Sequence, residues 1–208
     1  MGVVFGDDFK SEKSAAFIRM NTYQLQTDIS FMTMAFRENI LFGIDLARSI
    51  AGAGAWLEAA QTLAEGASGE NYFRLSVGAD YRFTNGLYTY IEYHYSGAGT
   101  GSPENYFDAI AETAFTDGAV YLFGRHYVVP CFIYEITPLL IFNARALINV
   151  EDRSVLGSTG FEYNLVEDVY VSIGAYVGLG EESSDPSRPE NEFGLYPDVY
   201  YTSVNFYF

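Results

Sequence analysis

Residues 71–83 alternate without a break: Phe73, Leu75, Val77, Ala79, Tyr81 and Phe83 fall on one side, and Arg74, Ser76, Gly78, Asp80 and Arg82 on the other. Successive side chains of an extended chain point to opposite faces, so this period predicts a strand with one apolar and one polar face. Thr84, Asn85 and Gly86 follow, with Asn-Gly expected to supply the positive φ angles of a tight hairpin. The chain then returns with Leu87, Ile91, Tyr93 and Tyr95 on one face and Glu92 and His94 on the other.

The same alternation recurs further along. Val169, Val171, Ile173, Ala175, Val177 and Leu179 oppose Tyr170, Ser172, Gly174, Tyr176 and Gly178. Phe161, Tyr163 and Leu165 oppose Glu162 and Asn164, while Phe142, Ala144, Ala146 and Ile148 oppose Asn143, Arg145 and Asn149. Extended over the chain, the pattern predicts about eleven strands between Ala15 and Phe208, and about twelve if Met1 to Gly6 adds a short one. Counted back from the C-terminus, the long connections at 180–197, 97–117, 65–70 and 7–14 fall at one end. The short turns near 165–168, 137–138, 84–86 and 49–53 fall at the other.

Alternation alone fits a water-soluble sheet as well as a lipid-embedded one. Long loops on one rim and tight turns on the opposite rim are the asymmetry of outer-membrane barrels, whose long loops are extracellular. Strands of about ten residues, at roughly 3.4 Å each and tilted near 45°, also cover an apolar band close to 25 Å tall. The expectation is an all-β, transmembrane, antiparallel up-and-down β-barrel of about twelve strands, occupying 1–208 as a single domain, or forming part of a larger barrel. The polar face then lines a lumen through Arg74, Asp80, Arg82, Glu92, His94, Arg145, Glu162, Tyr170 and Tyr176, with Asp45, Arg48 and Glu58 joining them. Phe73, Leu75, Val77, Tyr81, Ile91, Val171, Ile173, Val177 and Phe206 face lipid.

Composition narrows the classes further. Apolar residues make up 49% of the chain, yet no stretch approaches the roughly 20 consecutive apolar residues of a membrane-spanning helix. With 18 Tyr, 17 Phe and 20 Gly, the bias is toward strand formers and turn residues. A net charge of −16 repels a phosphate backbone, which argues against nucleic acid as a partner. Cys131 is the one cysteine and cannot form an internal disulfide, and no Cys/His spacing suits zinc, so neither metal nor cofactor is expected. Met1-Gly-Val-Val-Phe-Gly-Asp-Asp carries no export-signal pattern, so the expectation is a removed leader or a truncated chain.

The last segment places Tyr200, Thr202, Val204, Phe206 and Phe208 on one face. It resembles the C-terminal assembly signal of Gram-negative outer-membrane barrels, which the barrel-insertion machinery recognises. That resemblance implies a periplasmic C-terminus, with outer-membrane lipid and lipopolysaccharide as surroundings. Residues 71–208 carry Glu92-Tyr-His-Tyr-Ser-Gly-Ala-Gly-Thr-Gly-Ser-Pro-Glu-Asn-Tyr106, then Gly124-Arg-His-Tyr-Val128 with Ile136-Thr-Pro-Leu-Leu140, then Glu192-Phe-Gly-Leu-Tyr-Pro-Asp-Val-Tyr-Tyr201. These look like the C-terminal half of porin-like proteins, and the likeness implies passive passage of small solutes or ions, without enzymatic activity.

Three features bear on chemistry. His94-Tyr-Ser96-Gly-Ala-Gly is similar to the HxSNAG stretch of lipid A deacylases, with Gly97 in place of the Asn, Asp108 as an acid to orient the base, and His94 and Ser96 as base and nucleophile. An outer-membrane hydrolase or omptin-like protease is therefore one alternative, although His94 shares the lumen face with Glu92; a structural or adhesion barrel working through its loops is another. His126, between Arg125 and Tyr127, is read as structural or girdle-located. Ser102-Pro103-Glu104 looks like a helix start, placing Tyr106, Phe107 and Ile110 on one side of a short helix folded over the mouth. Glu181, Glu182, Asp185, Glu190 and Glu192, against Arg188, form an acidic loop, either simply solvated or attracting cations and divalent ions that bridge lipopolysaccharide. Glu192 to Pro197 reads as a return turn with aromatics at the membrane interface.

Overall fold

The computed structural model describes residues 1–4, 13–37, 39–64, 70–116, 118–181, 191–194 and 196–207. Twelve strands form one antiparallel sheet in chain order, each hydrogen-bonded to the next. They are β1 (Gly2–Val4), β2 (Ala15–Gln24), β3 (Thr27–Phe36), β4 (Asn39–Ile50), β5 (Ala53–Ala64), β6 (Tyr72–Arg82), β7 (Leu87–Ser96), β8 (His126–Thr137), β9 (Leu140–Asn149), β10 (Val155–Val166), β11 (Val169–Leu179) and β12 (Val199–Phe206). Eleven of these follow Ala15, and Gly2–Val4 adds a three-residue twelfth against Ala15 to Phe17. Between β7 and β8 lie a 3₁₀ turn (Pro103–Asn105) and two short helices, α1 (Tyr106–Ala111) and α2 (Thr113–Thr116).

Register explains why the sequence tolerates no other pairing. One row of directly paired residues runs Asn21, Ser30, Asp45, Glu58, Ser76, His94, Tyr127, Asn149 across β2 to β9. A second row runs Ile29, Leu46, Leu57, Val77, Tyr93, Val128, Ile148, Val155, Leu179 across β3 to β11. Slipping one strand by one residue would bring these two chemistries together along its whole length. On β12, Tyr200, Thr202, Val204 and Phe206 pair with Ala175, Ile173, Val171 and Val169 and so share the apolar face; Phe208 lies outside the described residues.

The apolar face is exposed in the isolated chain. Ile173 is 59% exposed, Phe206 67% and Ile91 56%, values that large apolar side chains hold in water only at a cost of about 25 cal/mol per Å². No helix among the described residues is long and apolar enough to cross a membrane, and strands do the crossing in barrels.

The two-ended loop pattern is present: the turns at 25–26, 51–52, 83–86, 138–139 and 167–168 are short and lie opposite the long connection at 97–125. The segments at 5–12, 65–69 and 182–190 lie outside the described residues. At the β6–β7 hairpin, only Gly86 takes a positive φ, +86°, and not Asn85 as well. The hydrogen bonds Gly86 N to Phe83 O (3.1 Å) and Phe83 N to Leu87 O (2.8 Å) close a three-residue loop, which needs left-handed backbone at its last position alone.

Two further expectations are corrected. Arg48 pairs with Thr27 and Ala55 and stands on the apolar side, because it is an odd number of residues from Asp45 on an unbulged strand. In α1 the buried pair is Tyr106 and Ala109, whereas Phe107 and Ile110 are exposed: the residues a single helical turn apart turn inward. Ser102 precedes the 3₁₀ turn as expected, but its side chain makes no capping hydrogen bond.

Candidate functional site: the polar face and its loop cap

The polar face is held by bonds that reach over one strand to the next. Arg19 Nε donates to Ser30 Oγ (2.6 Å) and its Nη2 reaches Asp45 Oδ2 (3.1 Å), linking β2, β3 and β4. Trp56 on β5 donates through Nε1 to Glu92 Oε2 on β7 (2.8 Å), lying across Gly78 on β6. A Cβ at Gly78 would run into the indole ring, so the glycine is what allows this crossing. Asp80 accepts from Gly54 N (3.2 Å) and Tyr88 Oη (3.1 Å), and the Arg82 guanidinium sits 5.4 Å from the Tyr88 ring centre.

The remaining residues expected on this face also share its register. Arg145 pairs with Cys131 and Ser158, and Glu162 accepts from Ser172 Oγ (3.4 Å). Tyr170 and Tyr176 pack on Tyr207 and Tyr201, at 5.5 and 5.7 Å between ring centres. Arg74 Nη1 donates to Ala119 O (3.1 Å), tying the strands to the long connection above them.

His94 and Ser96 do stand on one face, but the hydrogen bond of His94 Nδ1 goes to Ser76 Oγ (2.8 Å), its direct partner on β6. Ser96 Oγ is buried with no hydrogen-bond partner among the described residues. Asp108 does not join His94; with Glu70, Glu112 and Arg125 it lines a separate cavity of about 400 Å³. His126 stands on the apolar side with Tyr93, whose hydroxyl lies 2.6 Å from His126 Nδ1, and with Tyr95, 5.2 Å between ring centres.

At the loop end, three connections meet over the ends of β8 and β9. Glu192, 4% exposed, accepts from Phe123 N (2.9 Å), Tyr127 Oη (2.5 Å) and Asn149 Nδ2 (2.8 Å). Asp152, in the turn after β9, accepts from Tyr106 Oη (2.6 Å), Glu192 N (2.7 Å) and, through its other oxygen, Ser154 N (2.8 Å). Phe193 is buried against Tyr127, with 6.5 Å between ring centres. Burial pushes the Glu192 carboxyl above the usual carboxylate range, with the charge of Asp152 adding to it; the Tyr127, Phe123 and Asn149 donors pull the other way. Burial, then Asp152, pushes the Tyr106 phenol up as well.

This cap corrects the reading of the acidic loop. Glu192 is a buried structural carboxylate rather than a solvated one, and Phe193 faces the cap rather than the membrane interface; Glu182, Asp185, Arg188 and Glu190 lie outside the described residues. The pairings that make the cap, Tyr106 with Asp152 and Tyr127 with Glu192, are 46 and 65 residues apart, and no local spacing announces them.

No family model matches the chain, and no curated protein sequence does either. Among solved structures, it is similar to the outer membrane phospholipase A of Escherichia coli: TM-score 0.47, 13% identity, covering 92% of this chain and 76% of that one. An active-site mutant of the same enzyme gives TM-score 0.46 at 13% identity and the same coverage. At this level the likeness concerns strand architecture, which an outer-membrane β-barrel fits. It also corrects one expectation: both structures are of an enzyme, so a barrel of this plan is no ground for denying the chain catalytic activity.

Proposed function

We propose that the chain is an outer-membrane β-barrel that gives small solutes or ions a path along its polar interior, narrowed at the extracellular end by the loop cap. The supporting observation is the pair of alternating rows: one polar, the other apolar across nine strands, on a face that carries exposed Ile91, Ile173 and Phe206. In this reading Arg74, Asp80, Arg82, Glu92, His94, Arg145, Glu162, Tyr170 and Tyr176 line the lumen. Phe73, Leu75, Val77, Tyr81, Ile91, Val171, Ile173, Val177 and Phe206 meet hydrocarbon. The long connections are extracellular, and the aromatic face of β12 is what the insertion machinery reads. Planar-bilayer recording tests it: the native chain gives discrete conductance steps, and deleting residues 100–114 enlarges them. Reconstituted protein that swells no liposomes and passes no current sinks the proposal.

A second reading has its own observation, the Ser76 Oγ–His94 Nδ1 contact of 2.8 Å, in which a hydroxyl nucleophile and a base stand within hydrogen-bond reach. Under it the lumen hydrolyses an ester-bearing lipid. A fluorophosphonate probe then labels the native chain but not Ser76→Ala, and His94→Ala loses hydrolysis of phospholipid or lipid A while keeping its fold. Equal labelling of native chain and Ser76→Ala removes this reading.

A further inference from the structure

Of the arginines in the described strands, Arg19, Arg74, Arg82 and Arg145 stand on the polar side and Arg48, on β4, on the apolar one. Arg48 is exposed and makes no hydrogen bond or ion pair with a described residue. Apolar side chains continue past it toward the tight-turn rim: Ile50, at the end of β4, is 54% exposed, and Phe83 44%. The cation is thus set inside the edge of the apolar band, where it keeps its charge by reaching an anion or water at the rim.

The surface beside Arg48 is hollowed. Along its row Arg48 pairs with Ala55, Ala55 with Ala79, and Ala79 with Ile91. The neighbouring row on the side away from the turns is Leu46, Leu57 and Val77, so the two alanines form the floor of a trough walled by larger side chains. Tyr81 bounds the trough on its turn side. Its ring leans over the 51–52 turn, 3.8 Å from where a Cβ on Gly52 would stand, and packs edge-on against Phe83 with 4.8 Å between ring centres. The Tyr81 hydroxyl makes no hydrogen bond to a described residue. Two strand spacings of about 4.8 Å separate β4 from β6, so guanidinium and phenol flank a space about 10 Å wide, the scale of a lipid headgroup rather than of a bare ion.

We propose that Arg48, Tyr81 and the Ala55–Ala79 trough form a binding site for one anionic phospholipid, in the leaflet at the tight-turn rim. The planar guanidinium offers parallel N–H donors that match two phosphate oxygens, and the Tyr81 hydroxyl donates to a further oxygen of the same lipid. The acyl chain lies in the trough, against the alanines and the flanks of Leu57 and Val77. The charge of the headgroup follows from what surrounds it. The acids near this end, Asp28 and Asp80, stand on the polar side, and Asp80 already accepts from Gly54 N and Tyr88 Oη. Among the described residues no carboxylate is placed to meet the ammonium of a zwitterionic headgroup, so a phosphatidylglycerol-type lipid, charged at its phosphodiester alone, suits the site. A chain of net charge −16 repels anionic lipid in general, so retention of such a lipid reports the local site. The proposal rests on the reading that the apolar side meets hydrocarbon, and it stands whether or not the lumen conducts.

The experiment is native mass spectrometry of the full chain released from vesicles of equal phosphatidylglycerol and phosphatidylcholine with matched acyl chains. The native chain is expected to retain one phosphatidylglycerol, preferred at least about fivefold over phosphatidylcholine. Arg48→Gln brings that ratio close to one. Ala79→Leu leaves the charge alone but fills the trough, and it loses part of the preference. Arg153→Gln removes the same charge from the turn after β9, at the opposite rim, and keeps the native ratio. Heat-modifiable gel mobility establishes that each variant is folded. A native chain that holds both lipids alike, or an Arg153→Gln variant that loses as much as Arg48→Gln, overturns the proposal. Flotation separates its failure from that of the membrane reading: a chain that does not float with vesicles removes both, whereas one that floats without selecting phosphatidylglycerol removes the site alone.

Discussion

Trp56 shows how single positions on the polar face depend on one another. Its indole spans Gly78 to reach Glu92, so Trp56→Phe removes the donor while leaving the carboxylate in place. The expected cost is about 1–3 kcal/mol, read from urea titrations of folding into vesicles. Gly78→Val is expected to cost at least as much, by displacing the ring. Ser96 makes the opposite case: its hydroxyl is buried without a partner among the described residues, so Ser96→Ala is expected to be neutral or to stabilise by up to about 1 kcal/mol in the same titration. A marked loss of stability there would show that Ser96 has a partner.

At the scale of the strand, the two faces make a paired prediction. Ile173 and Ser172 are adjacent in the middle of β11 but point to opposite sides. Ile173→Arg sets a charge against hydrocarbon near mid-strand and is expected to cost about 2–4 kcal/mol of folding free energy in vesicles. Ser172→Arg, placed beside Glu162, is expected to cost far less. Equal costs would refute the assignment of the apolar side to lipid. Strands of this kind are legible in the sequence because alternation is local: Phe73 to Phe83 states its two faces without reference to any other segment, and the ends of β6, β7 and β11 follow from it. The hairpin was less legible, since Asn85-Gly86 fits both a two-residue loop with two left-handed residues and a three-residue loop with Gly86 alone left-handed. Arg48 falls in phase with Ile44, Leu46 and Ile50, so the alternation itself sets it on the apolar side, against what its charge suggests.

At the scale of the whole chain, the cap was the part the sequence hid. Tyr106, Asp152 and Glu192 come from three connections, and each by itself reads as an ordinary loop residue. Likewise Ser76 was invisible as the partner of His94 until register was known, while Ser96 stood two residues away and drew the attention. A chain of net charge −16 also makes a collective prediction for the conduit. Reversal potentials are expected to favour cations at ~0.1 M salt and to lose much of that preference at ~1 M, as the screening length falls from about 10 to about 3 Å. Anion preference in dilute salt would be the contrary result. Trp56 lends itself to a different use. It is the only tryptophan in the sequence, and its indole lies on the polar face, bonded to Glu92. Native fluorescence thus becomes a gauge of interior wetness: brominated acyl chains should leave its emission untouched, while iodide entering from the aqueous side should quench it in step with how far the passage admits water.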